Sequence, residues 1–251
     1  MSDWPKTDPS FWVRGEALSD EHRQRLIASG VLSSVLDEVT LQAVESPLPA
    51  WWHVQGNALY LRDGMTLPAG LFDRLALYPF SNALIVVCTG LEQVTSILLG
   101  GNDATLFLGP KTSMPGADFW IGAGSAIVIN GHCVATGQLQ IDARNGGSIV
   151  CAPDQLWAGR VYIATDDMHR FEDLATGERL NTFGAHITIG EHVWIGREAV
   201  VTGQVDIAEG CVVGLRSLVR NTKIPPHVAV AGTPAKIIRE GITWNGEDLP
   251  Q

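Results

Sequence analysis

The sequence predicts a mainly β protein wound as a parallel β-helix, and three observations support this prediction. The first is a six-residue repeat from Ile187 onward with a β-branched aliphatic residue at the third position of each unit. These residues are Ile189, Ile195, Val201, Ile207, Val213 and Val219. The second is an upstream run of mainly apolar residues that also repeats every six positions but is out of step with the first repeat. These residues are Ile121, Ile127, Cys133, Leu139, Cys151, Trp157 and Ile163, with Asn145 as the exception. The third is the polar stretch 165–186 between the two runs.

A period of six places one short strand and one corner in each unit, which a plain strand period of two does not. Three units form a triangular coil of eighteen residues, and coils stack at roughly 4.8 Å through parallel pairing. The spacing therefore predicts that Cys133 and Cys151 stack as small inward groups. The 26 residues between Ile163 and Ile189 are not a multiple of six, so we expect an excursion to leave the prism at 165–186.

The first 80 residues lack the repeat and predict an N-terminal α/β extension. Ser19 followed by Asp20 and Glu21 is typical of a helix start, with a capping hydroxyl and acidic residues in the first turn. Apolar residues follow at helical spacing, although Gly30 weakens the pattern.

The β-helix is predicted over 81–233, with a C-terminal helix and tail over 234–251. The segment Pro234–Glu240 predicts a short helix, which would cover the open edge of the last coil. Such an edge otherwise exposes unpaired backbone groups.

Composition excludes several classes of function. A net charge of −10 argues against a nucleic-acid partner, because phosphate binding needs clustered Lys and Arg. The N-terminus has no basic start with an apolar run, and no segment is long enough to span a bilayer. None of the four cysteines forms a CxxC pair, which argues against a structural zinc site. We expect a reduced, cytoplasmic protein.

The hexads, the loop Thr165–His169, the segment Val193–Gly196 and the ending Ile224–Lys236 together resemble the hexapeptide-repeat acyltransferases over about 97–240. Within that superfamily, the sequence resembles the bacterial polysaccharide and sugar O-acetyltransferases. The resemblance implies a left-handed coil, a homotrimer, acetyl-CoA as donor, a sugar or polysaccharide acceptor and no metal. Handedness rests on the resemblance alone, because crossovers between parallel strands are otherwise nearly always right-handed.

The same resemblance implies His169 as the general base, a role that suits an imidazole near neutral pH. Asp166 or Asp167 is predicted to hold the ring, although both also suit turn formation, and the sequence does not choose between them. The resemblance also implies that Trp194 donates its indole N–H to the acceptor oxygen or the developing oxyanion. The alternative is that Trp194 packs on the outer face of a coil or across a subunit interface.

For the donor, the resemblance implies a groove between neighbouring prisms near the C-terminal coils. The residues carried over are Arg197, Leu215, Arg220, Asn221, Lys223, Lys236 and Arg239. The first two would offer mainly backbone groups, and the basic side chains would face phosphates. The segment Arg220–Pro225 holds one residue more than the family pattern, so either Arg220 or Lys223 replaces the usual lysine.

Three alternatives remain at this point. A metal lyase on the same scaffold, like the γ-class carbonic anhydrases, would need converging histidines. His132, His186 and His192 are available, but His186 and His192 are one hexad apart and so lie on different faces of the prism. A non-catalytic assembly module is the second alternative. The third is N-acetylation of an amino sugar or a xenobiotic, and Trp51, Trp52 and His53 are candidates either for sugar stacking or for core packing.

Overall fold

The structure is a computed structural model that describes residues 12–65, 75–76, 78–90 and 94–247. The first elements are β1 Val13–Ala17, α1 Asp20–Ala28, α2 Ser33–Asp37, β2 Leu41–Ser46, α3 Trp51–Val54, β3 Ala58–Arg62, β4 Leu75–Ala76, β5 Leu84–Val87, β6 Ser96–Gly100 and β7 Thr105–Leu108. The next are β8 Ala117–Gly122, β9 Ala126–Ile129, β10 Cys133–Ala135, β11 Leu139–Ala143, β12 Ser148–Cys151, β13 Gln155–Trp157 and β14 Val161–Ala164. The last are β15 His186–Ile189, β16 Val193–Ile195, β17 Val200–Ile207, β18 Val212–Val213, β19 Leu218–Ile224, β20 Val228–Gly232 and β21 Ala235–Glu240.

The strands from β3 to β20 wind into a triangular prism, and each of its three faces is a sheet of parallel strands. Face A contains β4, β6, β8, β11, β14 and the first halves of β17 and β19. Face B contains β3, β5, β7, β9, β12, β15 and the second halves of β17 and β19. Face C contains β10, β13, β16, β18 and β20. The predicted β-helix is therefore confirmed.

The interior is filled by the residues that the repeat predicted. The third positions of the downstream hexads, Ile189, Ile195, Val201, Ile207, Val213 and Val219, are all fully buried. The upstream run Ile121, Ile127, Cys133, Leu139, Cys151, Trp157 and Ile163 is buried as well, whereas Asn145 is exposed at a corner with φ of +56°. One continuous apolar core results.

The predicted coil length is wrong upstream of the loop. Register partners such as Leu139 and Ala117 are 22 positions apart, and the spacing of 18 appears only downstream, as between Ile187 and Val205. Cys133 consequently pairs with Gln155, not with Cys151, which lies beside Ile129 and Ile189. The longer upstream coils carry extra residues at their corners, where left-handed conformations turn the chain.

The N-terminal extension packs on the outside of face B. Ser19 caps α1 as predicted, since its hydroxyl accepts from the His22 N–H. The helix ends before Gly30, whose φ is +103°, so the apolar stripe is divided between α1 and α2. Leu26 and its neighbours form a second core with outward residues of face B, including Phe107 and Val128.

The prism begins earlier than residue 81, because β3 pairs in parallel with β5. Leu59 and Leu61 join the central core, as does Trp52 of α3, which is fully buried. The packing alternative for Trp52 is therefore the one observed. No helix in the described part of the chain is long and apolar enough to cross a membrane.

The predicted C-terminal helix is wrong, because residues 235–240 form β21, antiparallel to β20 at the end of face C. The physical reason is the open edge of β20, whose backbone groups a strand satisfies directly and a helix does not. The adjacent β-branched residues Ile237 and Ile238 also favour extended backbone.

Candidate active site

The predicted excursion is confirmed as a loop that leaves the prism at the corner between faces A and B. It runs from the end of β14 at Ala164 to the start of β15 at His186. Partners across it, such as Tyr162 and Val200, are 38 positions apart, whereas the next coil spans 18.

Asp166 anchors the base of this loop. Its side chain is 3% exposed, and its Oδ1 accepts from the Gly184 N–H at 2.7 Å, close to where the loop returns. Its Oδ2 accepts from the Thr165 hydroxyl at 2.8 Å. Oδ1 therefore joins the two ends of the loop, while Oδ2 is occupied by the neighbouring residue Thr165.

Asp167 ties the loop to the last coils. Its Oδ2 accepts from the Arg220 guanidinium at 3.3 Å and from the Asn181 amide at 3.4 Å. Arg220 lies at the same A/B corner, next to Thr202 in register. A predicted catalytic carboxylate and a predicted donor-binding cation are thus brought together.

Asn181 is the hub of the loop, and the sequence analysis missed it. Its amide donates to the His169 carbonyl at 2.8 Å, and its Oδ1 accepts from the Phe171 N–H at 3.2 Å. The Asn181 side chain is buried, at 6% exposure, whereas His169, whose carbonyl it binds, is exposed. The His169 backbone is consequently held while its ring projects from the prism. Within the described ranges, the ring makes no hydrogen bond to Asp166 or Asp167.

Trp194 lies on β16 in face C, with Leu156 and Val212 as its register neighbours. Its side chain points outward and is 40% exposed. Because each corner of a triangular prism lies opposite one face, Trp194 and the A/B loop are on opposite sides of the same chain.

The predicted donor-binding residues fall into separate groups. Arg197 and Leu215 are exposed at the corner between faces C and A, where the Arg197 carbonyl accepts from the Arg216 N–H. Asn221 is at the A/B corner beside Arg220, and its Oδ1 accepts from the Gln204 N–H at 2.9 Å. Gly203 is required there, because its φ is +76° and the Asn221 amide fills the space of a Cβ.

The remaining basic candidates are exposed near the C-terminal end. Lys223 lies on β19 in face B beside Asp206, and Lys236 and Arg239 lie on β21. Among the described residues, the predicted donor-binding groups are thus spread over the C/A corner, the A/B corner, face B and β21.

A polar cluster on face A adjoins the loop, and the sequence analysis did not identify it. Arg144 stacks over Trp120 at 4.4 Å and contacts Asp142 at 3.3 Å. Burial raises the pKa of Asp142, against the opposing effect of Arg144. Burial also raises the pKa of Tyr162, and the negative charges of Asp142 and Asp167 act in the same direction.

The histidines weighed as metal ligands are not gathered. His186 contacts the Ser148 hydroxyl on face B, whereas His192 is at the B/C corner with Asp154, as the hexad spacing predicted. In the described part of the chain, no group of three or more His, Cys, Asp or Glu side chains is arranged to hold a metal ion.

Comparisons with known proteins point to one family. The chain is 46% identical over 54 residues to galactoside O-acetyltransferase of Escherichia coli K12, covering 22% of this chain and 26% of that protein. It is 31% identical over 105 residues to WbbJ of the same strain, described as an O-acetyl transferase of lipopolysaccharide biosynthesis, covering 37% and 50%. It is 39% identical over 74 residues to chloramphenicol acetyltransferase of Klebsiella aerogenes, covering 29% and 35%. The chain is related to the hexapeptide-repeat acetyltransferases.

The fold also has a counterpart among solved structures. The crystal structure of the polySia-specific acetyltransferase NeuO superposes with a TM-score of 0.57 at 24% identity, covering 68% of this chain and 78% of that one. This likeness confirms the left-handed β-helix predicted from the resemblance. The chain spans between about a quarter and a half of the length of the three curated hexapeptide-repeat relatives above. No protein-family model matches it.

Proposed function

We propose that the protein is an acetyl-CoA-dependent O-acetyltransferase that acts on a hydroxyl of a sugar, in a polysaccharide or its precursor, with His169 as general base. The observation that carries this proposal is the loop 165–185 in a chain of this family. Asp166 and Asn181 fix its ends and its middle, and His169 projects between them.

The proposed reaction is direct transfer. The acceptor oxygen forms a bond to the acetyl carbon while its proton moves to the unprotonated nitrogen of His169. The carbon–sulfur bond breaks, its electron pair goes to the thiolate, and the imidazolium returns the proton to the sulfur. Atoms and charges balance without a covalent enzyme intermediate.

The cysteines support direct transfer over a thioester on the enzyme. All four are free and buried. Burial raises the pKa of Cys88 to about 12 and that of Cys133 well above its ordinary value. Thiolate is the nucleophilic form, so these thiols are poor candidates. Free thiols also suit the cytoplasmic location that forms part of this proposal.

We further propose a homotrimer in which the site lies between copies. Trp194 is across the prism from the loop of its own chain, so its indole N–H can serve His169 only when supplied by a neighbour. The loop also presents apolar side chains to solvent, as expected for a surface that packs against another copy. These are Met168, Phe171, Leu174, Leu180 and Phe183.

The same arrangement suits the donor. Exposed guanidinium and ammonium groups are the side chains that bind phosphates. Arg220 at the A/B corner and Lys236 and Arg239 on β21 provide them, and a groove between copies can combine the two regions. Lys223 is the alternative to Arg220 in this role.

The test is release of free thiol from acetyl-CoA, with sugars and amines as acceptors and mass spectrometry of the products. We expect an O-acetylated sugar, and His169→Ala should lower kcat roughly 10²–10⁴-fold with nearly unchanged CoA affinity. His132→Asn is the matched control, because it removes an exposed histidine at a corner whose φ of +48° asparagine tolerates. Full kcat in His169→Ala would remove His169 from the mechanism. Chelator sensitivity would favour a metal enzyme, and absence of CoA binding would favour an assembly module.

A further inference from the structure

Face A carries a groove just upstream of the catalytic loop. It has a volume of about 410 Å³, within the range of small-molecule sites. Its floor is formed by Asp118, Gln140 and Tyr162, which are register neighbours on β8, β11 and β14. Its wall at the C/A corner includes Gln138 and Arg160.

The lining has the chemistry that recognises sugar hydroxyls. Carboxylate, carboxamide, phenol and guanidinium groups supply donors and acceptors in fixed planes, and a phenol ring adds an apolar surface. The floor groups repeat at the strand spacing of about 4.8 Å, so they form a ladder along one line. Such a row of polar groups matches the hydroxyl groups of an extended chain of sugar rings.

The charges of the groove nearly balance. Asp118 accepts from the Ser96 hydroxyl at 2.6 Å, and Arg160 faces Glu198 at 3.5 Å. A polyanion such as nucleic acid would need a clear excess of cations. The balance favours a saccharide whose recognised groups are mainly hydroxyls.

The groove ends at the loop. Tyr162 is two residues before the end of β14, where the loop begins. Burial raises the pKa of Tyr162, and the negative charge of Asp167 in the loop acts in the same direction. His169 follows Asp167 by two residues.

We propose that this groove binds the sugar residues adjacent to the one that is acetylated, so that the enzyme takes an oligosaccharide or polysaccharide rather than a free monosaccharide. The proposal rests on the proposed function, since the groove would extend the binding site of the same acceptor along face A. Gln140 and Tyr162 are then specificity-determining residues outside the reacting centre.

The experiment measures binding of the full-length protein to an array of immobilised glycans that includes monosaccharides and oligosaccharides of increasing length. We expect retention to rise with glycan length. Gln140→Ala and Tyr162→Phe should each weaken oligosaccharide binding roughly five- to tenfold, the value of one hydrogen bond, whereas His169→Ala should retain it. Gln24→Ala is the matched control, because Gln24 is exposed on α1, which packs on face B.

Equal binding of monosaccharides and longer glycans would overturn the proposal, as would unchanged binding in the two groove variants or no glycan retained at all. Calorimetry with CoA, run on the same preparations, separates this outcome from failure of the proposed function. CoA binding with acetyl transfer to a monosaccharide and no effect of the groove variants would remove only the groove. Absence of CoA binding would remove the proposed function itself.

Discussion

Arg220 donates a hydrogen bond to Asp167 across 53 positions of the chain, with 3.3 Å between Nη2 and Oδ2. The pair links the loop that carries His169 to a corner predicted to bind the acetyl donor. Both side chains are a little over 40% exposed, so the pair contributes about 0.2–1 kcal/mol to stability. It is too weak to hold the fold together, yet it can bias the position of the loop.

Variants of this pair should separate its two roles. Asp167→Ala and Arg220→Ala should each lower kcat about three- to tenfold, because a looser loop positions His169 less well. Arg220→Ala alone should also raise KM for acetyl-CoA about tenfold through a lost phosphate contact. Steady-state kinetics with the donor varied measures both, with circular dichroism as the folding control. An equal KM in the two variants would assign the guanidinium to the loop alone.

Asn181 should matter more than its position in an irregular loop suggests. Asn181→Ala leaves the Phe171 N–H and the His169 carbonyl without their partner, at a cost of about 1–3 kcal/mol locally. We expect kcat to fall roughly 10- to 100-fold with an unchanged KM for acetyl-CoA. Hydrogen exchange should speed up within 165–185 and stay the same in the prism. Glu178→Gln, an isosteric change at an exposed position of the same loop, should behave like the wild type. Unchanged exchange in Asn181→Ala would contradict the role of a hub.

Trp194 offers a test of whether the site is shared between copies. Trp194→Ala should lose roughly tenfold in kcat through the missing donor. Co-expression of a His169→Ala chain with a Trp194→Ala chain should raise activity above either variant alone, because roughly a quarter of the heterologous interfaces regain both residues. Native mass spectrometry verifies that mixed trimers form. Mixed trimers with no gain in activity would assign Trp194 to packing and not to the reaction.

The burial pattern of the prism could be predicted even though the coil length could not. Inward and outward positions alternate with a period of two, and coils of 18 and 22 residues are both even. The inward set from Ile121 to Ile163 was therefore predicted although Cys133 does not stack on Cys151. Corner residues set the coil length, and positive φ at positions such as Asp154 and Arg160 leaves only a weak trace in the sequence.

The sequence indicated candidate site residues where a motif marks them, and it missed residues that only polar contacts in the fold bring to the loop. His169 is recognisable from its segment, but Asn181 lies twelve residues further on with no repeat to mark it. Tyr162 and Gln140 are outward positions of ordinary strands, and only the 22-residue register brings them together. The role of β21 depended on an open strand edge, which local sequence does not specify.

The C-terminal tail should prove to be clasped to the prism by His192. The Trp244 ring stacks on the imidazole at 4.2 Å, and its Nε1 donates to the His192 carbonyl at 2.8 Å. His192 in turn contacts Asp154 at 2.6 Å. Trp244→Ala should cost about 1–2 kcal/mol and lower Tm by roughly 2–8 °C. Limited proteolysis should then cut within 241–247, and Asn245→Ala, whose side chain accepts a hydrogen bond from the nearby Glu247 N–H, is the control. Equal Tm and equal cleavage in the two variants would contradict the clasp.

The N-terminal extension should make stability depend on pH through His22. Its Nδ1 lies 2.8 Å from the Tyr60 hydroxyl, and burial lowers its pKa, reinforced by Arg25 and opposed by Glu21. A lowered pKa means that the folded state prefers the neutral ring. Between the folded value and 6.5, the unfolded chain binds more protons, so stability rises with pH there.

As the pH falls from 7.5 to about 5, wild type should therefore lose slightly more Tm than His22→Asn, which keeps a polar atom near Tyr60 without the titrating ring. We expect a small difference of this sign, since even one kcal/mol shifts Tm by only roughly 2–4 °C at this size. Differential scanning calorimetry of both proteins at matched ionic strength measures it. Carboxyl groups titrate alike in both proteins, so only the difference between the curves reports on His22. Parallel curves over this range, or a larger loss in His22→Asn, would contradict a lowered pKa of the half-buried imidazole.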